Sequence, residues 1–363
     1  MMFRNLFVLV IMALVFTACS DDDDGNGVNL DPVVMDVEVG GPTEPFSVYV
    51  NLEDSKQTKV ARDSWDLGFY SGESGYRVVI NPGAFMMAQP TEKNDITSVG
   101  PQDTVDMINQ MDQFAIFNAV LENPRPDWLP ESLNWIDNSN GDLNQTAIQA
   151  VSENPDQNVV HIVNRGWGVQ DNPRGWMKVK VNIVGSNYQL KFAPIDSEEF
   201  ETVEIPKRSG YNFNFFNFDT GIVEVEPPKD EWQLAFSSGL VLFRFAGVLV
   251  PYAFRDYVFH NRYGVEIAEV LFEDEDVDIL EEYNSFGAGD LAEVEYQTDI
   301  NTIGSGWRTI GNPQFGGETA VRSDRFYVVK TADNVYYKLI FVGLLSETGE
   351  RGHPSILFER LTI

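Results

Sequence analysis

The 363 residues hold one cysteine, Cys19, and three histidines, His161, His260 and His353. A lone cysteine excludes a disulfide within the chain, a Cys-ligated metal and a thiol nucleophile elsewhere in it. Basic residues are also scarce. Twenty-five Lys+Arg face 56 Asp+Glu, a formal net charge of −31, which repels nucleic acid and anionic lipid and argues against a nucleic-acid partner. No apolar run of membrane-spanning length follows residue 19. No methionine follows Met177, so a thioether ligand could come only from the first half. No G-x-S-x-G, HExxH, Walker or dinucleotide motif occurs. Abundant carboxylates alone would support a secreted glycan-active enzyme, and the expectation is a protein that is not an enzyme.

What is present begins with an export signal. Arg4, an apolar run over 6–16 and then FTAC read as a secretory signal over residues 1–19. Small residues ending in Cys19 resemble the lipobox of bacterial lipoproteins, whose cysteine is acylated. Residues 20–35, opening SDDDDGNG, are too polar to pack and read as a flexible acidic tether. Acidic residues directly after the lipid cysteine resemble the signal that carries such lipoproteins to the cell surface. The expected location is the outer membrane, anchored in its lipid through Cys19 and facing the exterior.

The remainder is written twice. WDLGFYSG at 65–72 returns as WQLAFSSG at 232–239, so that Trp65, Leu67 and Phe69 match Trp232, Leu234 and Phe236. GWGVQDNP at 166–173 returns as GWRTIGNP at 306–313, matching Trp167 with Trp307. WMKVKVNIVGSNYQLKF at 176–192 lies without a gap over RFYVVKTADNVYYKLIF at 325–341, matching Tyr188 with Tyr337. Three colinear blocks indicate tandem copies, 36–206 and 207–363, each expected to fold alone. Most runs are β-branched or aromatic and bounded by turn residues, so the fold class is all-β with few helices. The clearest helical stretch is DTVDMINQMDQFAIFNAVLEN, with Asp103 or Thr104 able to cap it and with Met107 and Met111 on one face. Trp65 and Trp232 are expected to be buried, with the next alternating Leu and Phe on the same face as each.

Read together, WDLGF, the Gly-Trp blocks, RFYVVKTADNVYYKLIF and the terminal ERGHPSILFERL resemble the HmuY family of bacterial surface lipoproteins. The resemblance implies a β-rich fold and, in the best-known members, capture of haem for delivery to an outer-membrane transporter. Two departures stand out. Gln233 replaces the motif's aspartate, Asp66 in copy one, and copy one lacks ERGHP. Where the resemblance implies a histidine ligand shortly after the Gly-Trp block, both copies carry Asn-Pro, Asn172-Pro173 and Asn312-Pro313. An amide is a poor axial ligand for haem iron.

Candidate haem contacts are therefore sought elsewhere. His260, in YVFHNRYG, lies in the window where the resemblance implies ligands, with Tyr252, Tyr257 and Tyr263 nearby; the alternative is a histidine at a strand end near a turn. His161, in VVHIV, is a second candidate against a solvent-facing strand residue. Met86 and Met87 follow a Gly/Pro loop and could supply a thioether, against simple core filling. His353 in ERGHP reads as structural; EDEDVDILEE at 273–282 and DNSNGD at 137–142 could offer oxygen ligands to Ca²⁺ but lack EF-hand spacing, and read as a solvated acidic face and a turn. Two functions follow: haem or porphyrin capture for iron acquisition, or a surface binding or adhesion module on the same fold without haem.

Overall fold

The alternating apolar runs form antiparallel strands, and the computed structural model describes them over residues 31–73, 75–123, 126–245, 247–274, 277–311 and 316–362. Cys19, most of the tether and Asn312-Pro313 lie outside these residues. In chain order the elements of copy one are β1 (Val33–Asp36), β2 (Phe46–Asn51), β3 (Lys56–Ala61), β4 (Leu67–Tyr70), β5 (Val78–Ile80), β6 (Met87–Pro90), α1 (Gln113–Glu122), α2 (Leu129–Ser132), β7 (His161–Asn164), β8 (Trp176–Val184), β9 (Asn187–Pro194) and β10 (Glu201–Ile205). Copy two supplies β11 (Phe213–Asn217), β12 (Gly221–Val223), β13 (Leu234–Phe245), β14 (Val248–His260), β15 (Glu266–Leu271), α3 (Ile279–Ser285), β16 (Arg308–Thr309), β17 (Ala320–Val321), β18 (Arg325–Lys330), β19 (Tyr336–Gly343) and β20 (Ser355–Leu361). The fold is β-rich with few helices.

Two matching sheets hold the third repeated block. One runs β10-β9-β8-β7-β6 and the other β1-β20-β19-β18-β15, so Val33, Val34 and Met35, expected in the flexible tether, are instead paired with Phe358, Leu357 and Ile356. Their central hairpins place Tyr188, Leu190 and Phe192 inward in one copy and Tyr337, Leu339 and Phe341 inward in the other, all buried, as side-chain alternation along a strand requires. The hairpin from β8 to β9 turns through two residues, with Gly185 at φ 61°, a left-handed conformation that glycine adopts without a Cβ clash.

The other two sheets cross between copies. Their orders are β12-β11-β4-β5 and β14-β13-β2-β3. Thus β2 of copy one lies on β13 of copy two, pairing Val48 with Phe236, Tyr49 with Ala235 and Val50 with Leu234. Conversely β11 of copy two lies on β4 of copy one, pairing Asn214 with Phe69, Phe215 with Gly68 and Phe216 with Leu67. Each copy gives its first hairpin to the other. The hydrophobic cores follow the exchange: Val48, Val50 and Leu52 pack with Leu234, Phe236, Trp307 and Phe341, whereas Phe216 and Phe218 pack with Leu67, Phe69, Tyr188 and Phe192. The two hairpins are equivalent elements, so exchanging them preserves every pairing, as in domain swapping. The sequence copies 36–206 and 207–363 are units of repetition, and the packed cores draw on both.

Two local expectations are corrected. The long helix predicted from Asp103 is a 3-10 turn over Pro101–Thr104 and further turns, and α1 starts only at Gln113. Asp112, in extended conformation, caps α1 by accepting from the Phe114 and Ala115 amides, and a side chain that satisfies those amides starts a new helix at that point. Met107 and Met111 therefore share no helix face, although both pack into one apolar cluster with Met87 and Trp135. Trp65 and Trp232 are buried, at 8% and 6% exposure, but not on the face of the Leu and Phe that follow. Each precedes its strand, and Trp65 packs with Phe213, Phe215 and Val225, across the sheet from Leu67 and Phe69.

Candidate functional site

The bend that turns each tryptophan is built the same way twice. Asp66 donates its amide to Phe216 and Gln233 donates its amide to Val50, at 2.8 and 2.9 Å. Asn81, 1% exposed, donates its side-chain amide to the carbonyls of Arg62 and Trp65. Asn261, fully buried, does the same to Lys229 and Trp232. The Asn81 oxygen accepts from the Gly83 amide and the Asn261 oxygen from the Tyr263 amide, both at 2.9 Å. These asparagines hold the two bends, and sequence reading missed them. A signal exists: VVIN at 78–81 and VFHN at 258–261 share Val and Asn at the same spacing.

The departure at Gln233 is explained by charge. Asp66 is fully buried between Arg165 and Arg174, with contacts of 2.9 to 3.0 Å, and accepts from the Phe218 amide. Gln233 accepts from the Leu52 amide at 2.8 Å, and among the described residues no Arg or Lys side chain hydrogen-bonds to it. A neutral amide fits where no cation compensates a buried carboxylate.

Between the two exchanged sheets lies a cavity of about 170 Å³, lined by both tryptophans together with Tyr49, Phe213, Phe215, Phe259, Met86, Leu240 and Val241. Its walls are rings set edge-on. Tyr49 meets Trp232 at 5.0 Å and 81°, and Phe215 meets Trp65 at 4.8 Å and 71°. Five acidic and basic side chains complete the lining: Asp137, Asp142, Glu226, His260 and Arg262. Asp137 accepts from the Ile80 and Ala147 amides, and burial still pushes its carboxyl up to about 7. Glu226 accepts from the Phe213 amide and the Asn212 side chain, and burial likewise pushes it up to about 7. Arg262 lies over the Phe213 ring and donates to the Gly141 carbonyl at 3.0 Å. Sequence reading took 137–142 as a plain turn and missed Asp137, Glu226 and Arg262.

Of the sequence candidates, the cavity brings together His260 and Met86. His260 ends β14, 2% exposed, with Nε2 2.8 Å from the Asp299 carbonyl and Nδ1 3.3 Å from the Asn261 carbonyl. Burial lowers its pKa and so favours the neutral ring, whose one N–H can go to either carbonyl. The lone pair that could meet a metal faces a carbonyl. Met86 and Met87 are fully buried in different clusters rather than in a mobile loop. His161 is elsewhere and, contrary to the solvent-facing alternative, is buried at 4% exposure; it accepts from the Gln149 amide, and burial pushes its pKa down to about 4. Tyr257 is buried against Phe254 and Phe259 outside the cavity lining. Among the described residues no group of three or more His, Cys, Asp or Glu could hold a metal ion.

The remaining blocks have structural tasks. Trp167 donates its indole N–H to Asp112 at 2.7 Å, and Trp307 donates to the Asp256 carbonyl at 3.0 Å. In ERGHP, Arg351 pairs with the buried Asp256, and Gly352, at φ 82°, passes so close to the Gly41 carbonyl that no Cβ fits. His353 is exposed beside it. The family model described as HmuY protein matches residues 44–208 and again 209–358. The chain belongs to the HmuY family. Among solved structures it is similar to the apo HmuY analog TFO of Tannerella forsythia, at 10% identity over 94% of this chain and 100% of that one, with a TM-score of 0.29. It is similar also to apo PinO from Porphyromonas gingivitis, at 14% identity over 46% of this chain and 86% of that one, with a TM-score of 0.22. A putative lipoprotein from Bacteroides fragilis matches at 9% identity over 50% of this chain and 88% of that one, with a TM-score of 0.21. No curated protein matches the chain. Both copies of this HmuY-family chain therefore contribute to one cavity.

Proposed function

We propose that the chain is a ligand-capture lipoprotein, not an enzyme, anchored to the outer membrane through acylated Cys19 and facing the exterior. Family membership supports capture, and the lipobox and acidic tether support the anchor. Among the described residues no helix is long and apolar enough to cross a membrane. Replacing Cys19 by Ala should release the protein into the soluble fraction; unchanged membrane association would contradict the anchor.

Two cargoes fit capture. Haem or porphyrin, passed to an outer-membrane transporter, is the reading that family membership supports. The side chains favour the second, a non-haem cargo, and one observation carries this preference: both ring nitrogens of His260, the cavity's only histidine, face backbone carbonyls. Met86, which lines the same cavity, is fully buried, and a cavity of about 170 Å³ falls short of the roughly 300–1,000 Å³ of sites for larger ligands. Titrating haemin into the soluble part of the chain tests the choice. The expected result is a broad adsorption spectrum that His260→Ala leaves unchanged. A sharp Soret band saturating at one or two equivalents would overturn it.

A further inference from the structure

We infer that the cavity between the exchanged sheets binds a small molecule of about one aromatic ring that carries a hydrogen-bond acceptor. The inference rests on the reading of the chain as a capture protein and names the class of its cargo. Size comes first. The cavity measures about 170 Å³, and an apolar protein cavity of about 150 Å³ is enough to take up benzene. Its walls are aromatic edges and faces from both copies, the surroundings that a planar ring prefers.

The polar groups define the rest of the ligand. The carboxylates of the lining are already occupied: each oxygen of Asp137 holds one backbone amide, Glu226 holds the Phe213 amide and the Asn212 side chain, and Asp142 holds the Asn144 amide and the Gln145 side chain. One donor is not. The indole N–H of Trp232 is buried without a partner. Arg262, by contrast, donates to the Gly141 carbonyl and lies over the Phe213 ring. Buried donors without acceptors are uncommon and favour a ligand that supplies one. A ketone or ether oxygen on the ring does so without adding a negative charge beside Asp137 and Glu226.

Acetophenone and ethylbenzene, alike in shape but only one bearing an acceptor, are the probes. Each is titrated into the full mature chain while tryptophan fluorescence and thermal unfolding are followed. Saturable one-to-one binding is expected for both, with acetophenone about tenfold tighter and a higher melting temperature in its presence. Trp232→Phe keeps a ring but removes the N–H and should bring the two affinities together. Ala235→Leu, projecting into the cavity, should abolish both; if it does not fold, Val241→Phe replaces it. Quenching that never saturates, or binding that survives filling of the cavity, would overturn the inference. So would an acetophenone preference that persists in Trp232→Phe. A saturable haemin spectrum alongside intact acetophenone binding would instead remove the non-haem cargo and leave the cavity's ligand class standing.

Discussion

Tyr49 packs edge-on against Trp232, ring centroids 5.0 Å apart, although one belongs to the first hairpin of copy one and the other to the octet of copy two. Phe215 and Trp65 repeat the contact in the opposite direction. The register makes them equivalents, because Tyr49 lies opposite Ala235 and Phe215 lies opposite Gly68. These are the same position of the two octets, and both are small. A Cβ on Gly68 would approach Val79 and Phe215 to 2.8 and 3.2 Å. Small residues there let the partner's ring reach over the strand, and the two tryptophans close the same cavity from opposite copies. The octet is written twice because each copy completes the other.

If Asn81 and Asn261 hold equivalent bends, truncating either should have similar consequences. Asn81→Ala and Asn261→Ala each leave two carbonyls and at least one amide without their partner. A loss of about 2–4 kcal/mol is expected for each by denaturant unfolding, given roughly 1–3 kcal/mol per unsatisfied buried group with partial relaxation. A loss below 1 kcal/mol at either position would show that its bend is held by something else.

Asp66 and Gln233 differ in what compensates them. Asp66→Asn leaves Arg165 and Arg174 buried with less negative charge and should cost about 3–5 kcal/mol, as for breaking other buried pairs. Gln233→Glu should also destabilise, because no Arg or Lys side chain among the described residues hydrogen-bonds there, and by more at pH 8 than at pH 5. An Asp66→Asn protein as stable as the parent would contradict the charge account.

The buried acids predict how stability depends on pH. Burial raises Glu44 to about 8 and Asp137 and Glu226 to about 7, all above their unfolded values. The folded state thus keeps protons that the unfolded chain has released, and this contribution is lost as pH rises through 7 to 8. Burial lowers the pKa of both His161 and His260. Their contribution is present above the unfolded histidine value of about 6.5 and is lost as pH falls below it. The melting temperature should therefore fall by a few degrees from pH 6.5 toward pH 8.5, where the acids alone titrate. Glu226→Gln, which keeps an oxygen for the Phe213 amide, should flatten the alkaline limb. A melting temperature that rises steadily from pH 6.5 to 8.5 would contradict these assignments.

Separating the copies should expose the exchange. Residues 207–363 alone lack β1 and the β2–β3 hairpin, so β13 keeps β14 but loses its other partner strand, and the core loses Val48, Val50 and Leu52. The fragment should either fail to fold or appear by light scattering as a dimer that exchanges its β11–β12 hairpins. A monomer that melts cooperatively would show that one copy completes itself.

Much of this fold is legible in local pattern. Tyr188, Leu190 and Phe192 alternate because one face of a strand is buried, and that period is written in the chain itself. The exchange is not legible. FSVYVN at 46–51 and FNFFN at 213–217 are both apolar strands able to cover either octet, so the pattern is the same whichever copy receives them. The turning of Trp65 away from Leu67 depends on Asp66 and Asn81, which act through hydrogen bonds that periodicity does not record. His260 was visible as a candidate, but the carbonyls of Asp299 and Asn261 that occupy its ring come from the fold. Asp137 and Glu226 look like ordinary surface acids until two sheets close over them.

The exchanged hairpin is tested most directly by a covalent link across it. Ser47 of β2 and Ser237 of β13 face each other within the buried seam, hydroxyl oxygens 2.7 Å apart, close enough for a disulfide after small adjustments. With Cys19 replaced by Ala, the double variant Ser47→Cys and Ser237→Cys is oxidised, digested and analysed by mass spectrometry. Exchange between the copies predicts one monomeric chain with a peptide pair joined through positions 47 and 237 and no free thiol. A folded monomer in which both thiols stay free would contradict it.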